Sequence, residues 1–229
     1  MEVAAAQNPP VAQAAIYRLS RYLESVVALD EGGASTVLSS EIGSRSGVTA
    51  EQVRKDLSHF GQFGRPGVGY SVSELRRELA RILRVDVQQH VVIVGAGHLA
   101  EALMAYPEFR QGRFSIVGVF DSDPGKTGTT VAGHRVQGLD ELPAVSALSH
   151  VDIGVIAVPA REAQAVADQM VQASITAVLN FAPVTLRVPE GVVVKNVDLT
   201  RELEWLAYSV PASWHRQEQT VVGSPSLGP

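Results

Sequence analysis

The chain contains no cysteine. That excludes disulfides, thiolate metal centres and thiol-based redox sensing, so any response to redox state must come through a bound ligand. Long apolar runs are also missing, and none approaches the ~20 residues that cross a bilayer. No basic segment followed by an apolar stretch opens the chain, so export is not expected and a cytoplasmic location is. Lysine is scarce: after residue 86 there are only Lys126 and Lys195. None of the six histidines falls at the C-terminal end of a later strand, where a nicotinamide would need an acid–base partner. No catalytic set and no metal-ligand pattern stands out. Net charge is −5, which by itself argues against nucleic-acid binding, but the charge is unevenly spread. Residues 11–86 carry ten Lys/Arg against nine Asp/Glu, whereas 87–229 carry nine against fourteen. The acidity belongs to the second part.

Within that second part, His90-Val-Val-Ile-Val-Gly-Ala-Gly-His-Leu-Ala100 reads as a buried strand running into a glycine turn. Gly95 permits the tight turn and Gly97 lets backbone approach a phosphate. A helix from His98 to Tyr106 would then present its first N–H groups to a pyrophosphate. Ala96, His98, Leu99 and Ala100 complete the candidate cofactor turn. A second strand, 115–121, ends in Asp121, 24 residues after Gly97, near the spacing at which a carboxylate binds a ribose 2′-OH. That acid would repel a 2′-phosphate, so NAD(H) is expected rather than NADP(H). Strands at 153–158, 177–181 and 192–197 and a helix at 160–174 alternate as in a parallel, doubly wound, Rossmann-like sheet. Val158 and Pro159, with Phe181, would line the nicotinamide end.

The first part carries a different pattern. Helices are expected at 14–29, through Ser46 with Ser39 or Ser40 as cap and a stop at Gly47, 50–60 capped by Thr49, and 74–84 capped by Ser73. A glycine-rich hairpin is expected at 61–70. Two short helices followed by such a hairpin describe a winged helix-turn-helix. On the helix from Ala50, Val53, Leu57 and Phe60 face inward, leaving Gln52, Arg54, Lys55, Ser58 and His59 outside as donors to bases and phosphates of double-stranded DNA. Arg65 sits at the hairpin tip. The division expected is a DNA-binding domain at 11–86, an NAD(H)-binding domain at 87–198, a dimerisation helix at 199–210 and a polar tail at 211–229. Leu199, Leu203, Leu206 and Val210 form an apolar stripe on the last helix, and a second copy of the chain, matching a palindromic operator, is its simplest partner.

Together these residues resemble the Rex family of redox-sensing transcriptional repressors. The likeness runs from Tyr17 to Val210. It is carried by 53–61 and 67–70, the glycine turn, Phe120-Asp-Ser-Asp-Pro-Gly-Lys-Thr-Gly128, Val158-Pro-Ala160, Asn180-Phe-Ala-Pro183 and Asn196-Val-Asp-Leu199. The resemblance implies a non-enzymatic homodimer with exchanged (domain-swapped) C-terminal helices that holds its operator with NAD⁺ or an empty site and releases it when NADH binds. It also implies a switch set of Arg18, Tyr106 and Asp198. His98 and Ala100 depart from the residues usual in the family, Asn and Gly. The alternative is a nucleotide- or CoA-binding enzyme subunit with a helical N-terminal extension.

Overall fold

The computed structural model describes residues 13–65, 67–110 and 113–210, and the chain divides into two compact units at residues 88/89. The polar segments at 1–10 and 211–229, and Pro66 at the hairpin tip, lie outside the described residues.

The first unit begins with α1 (Gln13–Glu31), followed by β1 (Thr36–Val37), α2 (Ser39–Ser46), α3 (Ala50–Ser58), β2 (Gly64–Arg65), β3 (Gly69–Ser71) and α4 (Val72–Ile82). Its small antiparallel sheet has the order β1-β3-β2. Leu19, Tyr22 and Val26 of α1 pack with Ile42, Val53, Leu57, Leu75 and Leu79 in one core. Gly47 closes α2 at φ 67°, a left-handed conformation that a side chain disfavours. Thr49 caps α3 by accepting the Gln52 N–H at 3.1 Å. Two caps differ from expectation. Leu38, not a serine, precedes α2 and makes no side-chain cap bond. Ser71, not Ser73, caps α4, because β3 runs straight into that helix and places the Ser71 hydroxyl under the Glu74 N–H.

A buried carboxylate ties α3 to α1. Asp56 is 2 % exposed and receives a two-pronged bond from Arg18, at 2.6 and 2.7 Å. Tyr22 Oη donates to it at 2.8 Å and Gln52 Nε2 at 2.8 Å. Burial pushes the Asp56 carboxyl up, but the bonds from Arg18, Tyr22 and Gln52 together outweigh it and hold the group below the ordinary carboxylate range. Burial and the neighbouring carboxylate raise the Tyr22 phenol, which stays a neutral donor.

The second unit runs β4 (Gln89–Val94), α5 (His98–Met104), α6 (Pro107–Arg110), β5 (Phe114–Asp121), β6 (Thr130–Val131), β7 (His134–Gly138), α7 (Leu142–Ser149), β8 (Ile153–Ile156), α8 (Ala160–Gln172), β9 (Ala177–Asn180), β10 (Val193–Asn196) and α9 (Leu199–Ser209). The sheet order is β10-β9-β8-β4-β5-β7-β6. All neighbours are parallel except the β6–β7 hairpin at one edge. Alternation along β4 sorts the core: Val92 and Val94 face Ala163, Val166, Ala167 and Met170 of α8, while Val91 and Ile93 face Ala100 and Met104 of α5. β6, β7 and α7 are additions to the sequence reading.

No helix separates β9 from β10, so among the described residues of this unit no helix covers the face of the sheet beyond α5. A groove of ≈ 430 Å³ lies there, lined by Tyr106, Phe109, Phe114, Val155, Leu179 and Val193. On α9 no residue is buried; Leu203 is 65 % and Trp205 66 % exposed.

Asp56→Ala should lower the unfolding free energy of the full chain by about 3 kcal/mol or more, because it strands a part-buried guanidinium. The sign of the pH effect follows from the depressed carboxyl. Its contribution is complete above the unfolded-chain value of about 4 and is lost as pH falls through the lower folded value. Urea titrations between pH 7 and pH 2 should therefore show a shallower acid limb for Asp56→Asn than for the unaltered chain. Superimposable limbs would remove Asp56 from the acid sensitivity.

Candidate functional site

The turn between β4 and α5 is built around two glycines with different tasks. Gly95 has φ 107°, and a Cβ there would lie 2.4 Å from the Ala157 carbonyl oxygen and 3.0 Å from Val158 Cγ1. No side chain fits, so the turn can close against the end of β8 only with glycine. Gly97 precedes α5, and a Cβ built on it would meet nothing within 4 Å. The backbone there faces open space, a cradle that any side chain would begin to fill. His98 and Leu99 stand exposed on the first turn of α5. Ala100 is fully buried among Val91, Ile93, Met104 and Val119, so its methyl is part of the core.

Asp121 ends β5 at 7 % exposure. Its Oδ2 accepts the Ala96 N–H at 2.9 Å and the Lys126 ammonium at 2.8 Å; its Oδ1 accepts the Asp123 N–H at 2.9 Å. Burial pushes this carboxyl up, but the bonds from Lys126, Asp123 and Ala96 hold it below the ordinary range. The Lys126 ammonium is raised in turn, first by its bond to Asp121. Sequence reasoning gave Lys126 no role in the site; the signal was its place in the turn that Asp121-Ser-Asp-Pro-Gly begins. Beside Asp121 lies a cavity of ≈ 520 Å³ lined by Ser122, Pro124, Thr127, Leu139 and Asp140. Val158, half-buried, and Pro159, exposed, link β8 to α8. Phe181 joins the same edge, its N–H donating to the Ile156 carbonyl at 3.0 Å. An open glycine cradle, a buried acceptor carboxylate with a cavity beside it, and apolar strand ends together suit a dinucleotide: phosphates, ribose and adenine, and nicotinamide in that order.

In the first unit, Arg54, Lys55 and Ser58 are exposed on α3, His59 is exposed at its C-cap, and Arg65 is exposed on β2. Arg54 reaches Ser39 Oγ at 3.0 Å, and Ser58 Oγ donates to the Lys55 carbonyl at 2.8 Å. Gln52 differs from the others. It is half-buried and its amide is turned inward to Asp56, away from the outside position expected of it. Asp56 itself escaped sequence reasoning; its trace was Arg18 and Tyr22, four residues apart on α1 and so on one helix face.

Each residue of the expected switch set has a place of its own. Arg18 binds Asp56. Tyr106 does not end α5; it stands in the bend between α5 and α6, 61 % exposed. Asp198 caps α9, accepting the N–H groups of Thr200 and Arg201 at 3.1 and 3.3 Å, and pairs with the Arg201 guanidinium at 3.2 Å.

Comparison with known proteins accounts for both units. Residues 10–58 match the family model for a putative DNA-binding protein N-terminus, and residues 86–184 match that of a CoA binding domain. The redox-sensing transcriptional repressor Rex of Desulforamulus reducens is 46 % identical over 200 residues, covering 87 % of this chain and 95 % of that protein. The Rex protein of Streptomyces coelicolor is 40 % identical over 239 residues, 98 % of this chain and 93 % of its own. Among solved structures, the repressor RSP in complex with β-NAD⁺ and operator DNA aligns with a TM-score of 0.84 at 33 % identity, covering 94 % of this chain and 100 % of RSP. RSP in complex with β-NADH aligns at 0.78 and 33 %, over 92 % of this chain and 99 % of that one. The chain belongs to the Rex family of redox-sensing transcriptional repressors.

Proposed function

We propose that this protein represses transcription by binding operator DNA through its first unit, residues 11–86, and gives up that DNA when NADH occupies the glycine turn of its second, residues 87–198. The observation that carries the reading is the pairing, in one chain, of an open glycine cradle beside Asp121 with an exposed Arg54-Lys55 helix face followed by a wing. RSP, related over nearly the whole chain, has been solved with β-NAD⁺ and operator DNA and with β-NADH. The alternative of a CoA-binding enzyme subunit gives way, because relatives spanning almost the full chain are repressors. No membrane is involved in this reading, and the cytoplasm is where operator and NAD(H) pool meet.

The two redox forms differ in charge: NAD⁺ carries a cationic nicotinamide ring and NADH a neutral one. Gly95, Ala96 and Gly97 with the start of α5 hold the phosphates, and Asp121 the adenosine ribose. Val158, Pro159 and Phe181 exclude water from the nicotinamide end, where desolvating a positive ring costs free energy that a neutral ring does not. That difference is what a redox-driven release requires, since equal affinity shifts no equilibrium. Arg18, Tyr106 and Asp198 are the proposed coupling set, and exchange of the present partners of Arg18 and Asp198, namely Asp56 and Arg201, is the way a bound nucleotide reaches the DNA-binding unit. The unpacked stripe Leu199, Leu203 and Leu206 of α9 is assigned to a second copy of the chain, giving a homodimer that matches a palindromic operator.

Three outcomes follow. Calorimetry should give a lower dissociation constant for NADH than for NAD⁺; equal constants would exclude the sensing mechanism. Gly97→Ala should leave the melting temperature nearly unchanged yet weaken NADH binding at least several-fold, whereas Gly95→Ala should lower the melting temperature by several degrees as its methyl meets the Ala157 carbonyl. If Gly97→Ala binds NADH normally, the phosphates lie elsewhere. Arg54→Ala and Lys55→Ala should each weaken operator binding with NADH affinity intact. A lost phosphate contact reduces the salt slope by about 1, and a lost base contact relaxes preference at one position. Normal operator binding by both variants would take the α3 face out of the interface.

A further inference from the structure

Asp121 should keep 2′-phosphorylated nucleotides out by repulsion, but the structure places a cation on that same carboxylate. Lys126 Nζ lies 2.8 Å from Asp121 Oδ2, and its side chain is 43 % exposed. The ammonium thus stands at the mouth of the site. The loop that carries it is fastened: the Lys126 N–H donates to the Asp123 carbonyl at 3.0 Å, and Thr129 Oγ1 donates to the Lys126 carbonyl at 2.6 Å. Lys126 is therefore held beside the ribose end of the cradle whether or not Asp121 is charged.

Lone-pair accounting shows why this matters. An ionised carboxylate offers about four acceptor sites. Three are taken, one on Oδ1 and two on Oδ2. A ribose diol brings two hydroxyl donors, so engaging both requires Lys126 to yield its place on Oδ2. The ammonium then turns to a ribose oxygen or to whatever the ribose carries. Asp123 and Glu162 also act on Lys126, each more weakly than Asp121, so the field around it is acidic. With Asp121 neutralised the ammonium loses its hydrogen-bonded carboxylate, and a 2′-phosphate then competes for it only against the weaker pull of Asp123 and Glu162.

We propose that Lys126 is a specificity-determining residue, a latent ligand for a ribose 2′-phosphate that Asp121 holds occupied, so that preference for NADH over NADPH is set by the Asp121–Lys126 pair and not by the acid alone. This rests on the nucleotide-binding reading above. It differs from a purely repulsive role for Asp121, which predicts that Lys126 is irrelevant to NADPH.

The test is a double-mutant cycle on the full chain, with dissociation constants for NADH and NADPH measured by calorimetry for the unaltered protein, Asp121→Asn, Lys126→Met and the double variant. Asp121→Asn should bind NADPH about tenfold or more tightly than the unaltered chain, the scale of a charge-assisted hydrogen bond. Adding Lys126→Met should abolish that gain. Lys126→Met alone should weaken NADPH more than NADH, by about threefold or more in the ratio. If Asp121→Asn and the double variant bind NADPH equally, or if Asp121→Asn gains nothing, the proposal is overturned. Should Asp121→Asn fail to fold, the ratio for Lys126→Met decides alone, and an unchanged ratio overturns it. Failure of the unaltered protein to bind NADH would instead overturn the nucleotide-binding reading itself.

Discussion

The N–H of Ala96 donates to the Asp121 carboxylate, and the nucleotide end of the sheet depends on that bond. It joins the turn after β4 to the last residue of β5, beside the Gly95 N–H that donates to the Phe120 carbonyl at 2.7 Å. Because Ala96 is the middle residue of the glycine turn, the bond also fixes how Gly95 and Gly97 face. Gly95 is pressed against the Ala157 carbonyl, and Gly97 is left looking into open space. Moving Asp121 would release the turn, and with it the start of α5 whose first N–H groups face the cradle. One carboxylate thereby shapes the glycine turn and, in the function proposed above, is the acceptor for the ribose.

The first unit uses the same economy. Asp56 sits on α3, the helix that carries Arg54 and Lys55, and is bound by two side chains of α1. A charge this buried costs several kcal/mol unless every acceptor site is satisfied, and here Arg18, Tyr22 and Gln52 satisfy it. The orientation of the exposed α3 face is thus tied to α1 by polar bonds with defined geometry, in addition to the less directional packing of Val53 and Leu57. It also explains the inward turn of Gln52, which spends its amide on this cluster.

Much of this was legible in the sequence, for reasons that can be stated. The run Val91 to Val94 is unbroken in its apolar character and the stripe Ala163, Val166, Ala167 and Met170 keeps a helical period, and the structure buries both. The hairpin of β6 and β7 was hidden because its two-residue turn is Ala132-Gly133, with φ 48° and 87°. Such a turn usually announces itself as Asn-Gly or Asp-Gly, and alanine gives no warning. Helix α7 is eight residues long, too short for its pattern to rise above the loops around it. The polar bonds were hardest to foresee. Arg18 and Asp56 are 38 residues apart, and only the packing of α1 on α3 makes them neighbours.

The two edges of the large sheet have a consequence for how copies of this protein can meet. An exposed edge strand offers unpaired backbone groups on which another chain's strand can grow, the usual route to fibres. Here one edge is β6, two residues long and turned antiparallel, and the other is β10, four residues long with Lys195 outward. Neither gives a long, uncharged template. Among the described residues, much of the exposed apolar surface is on α9 and in the groove beside Tyr106, where recognition works through side chains and stops at a defined stoichiometry. The chain can thus present a great deal of hydrophobic area without the open-ended polymerisation that the same area on a bare strand would invite.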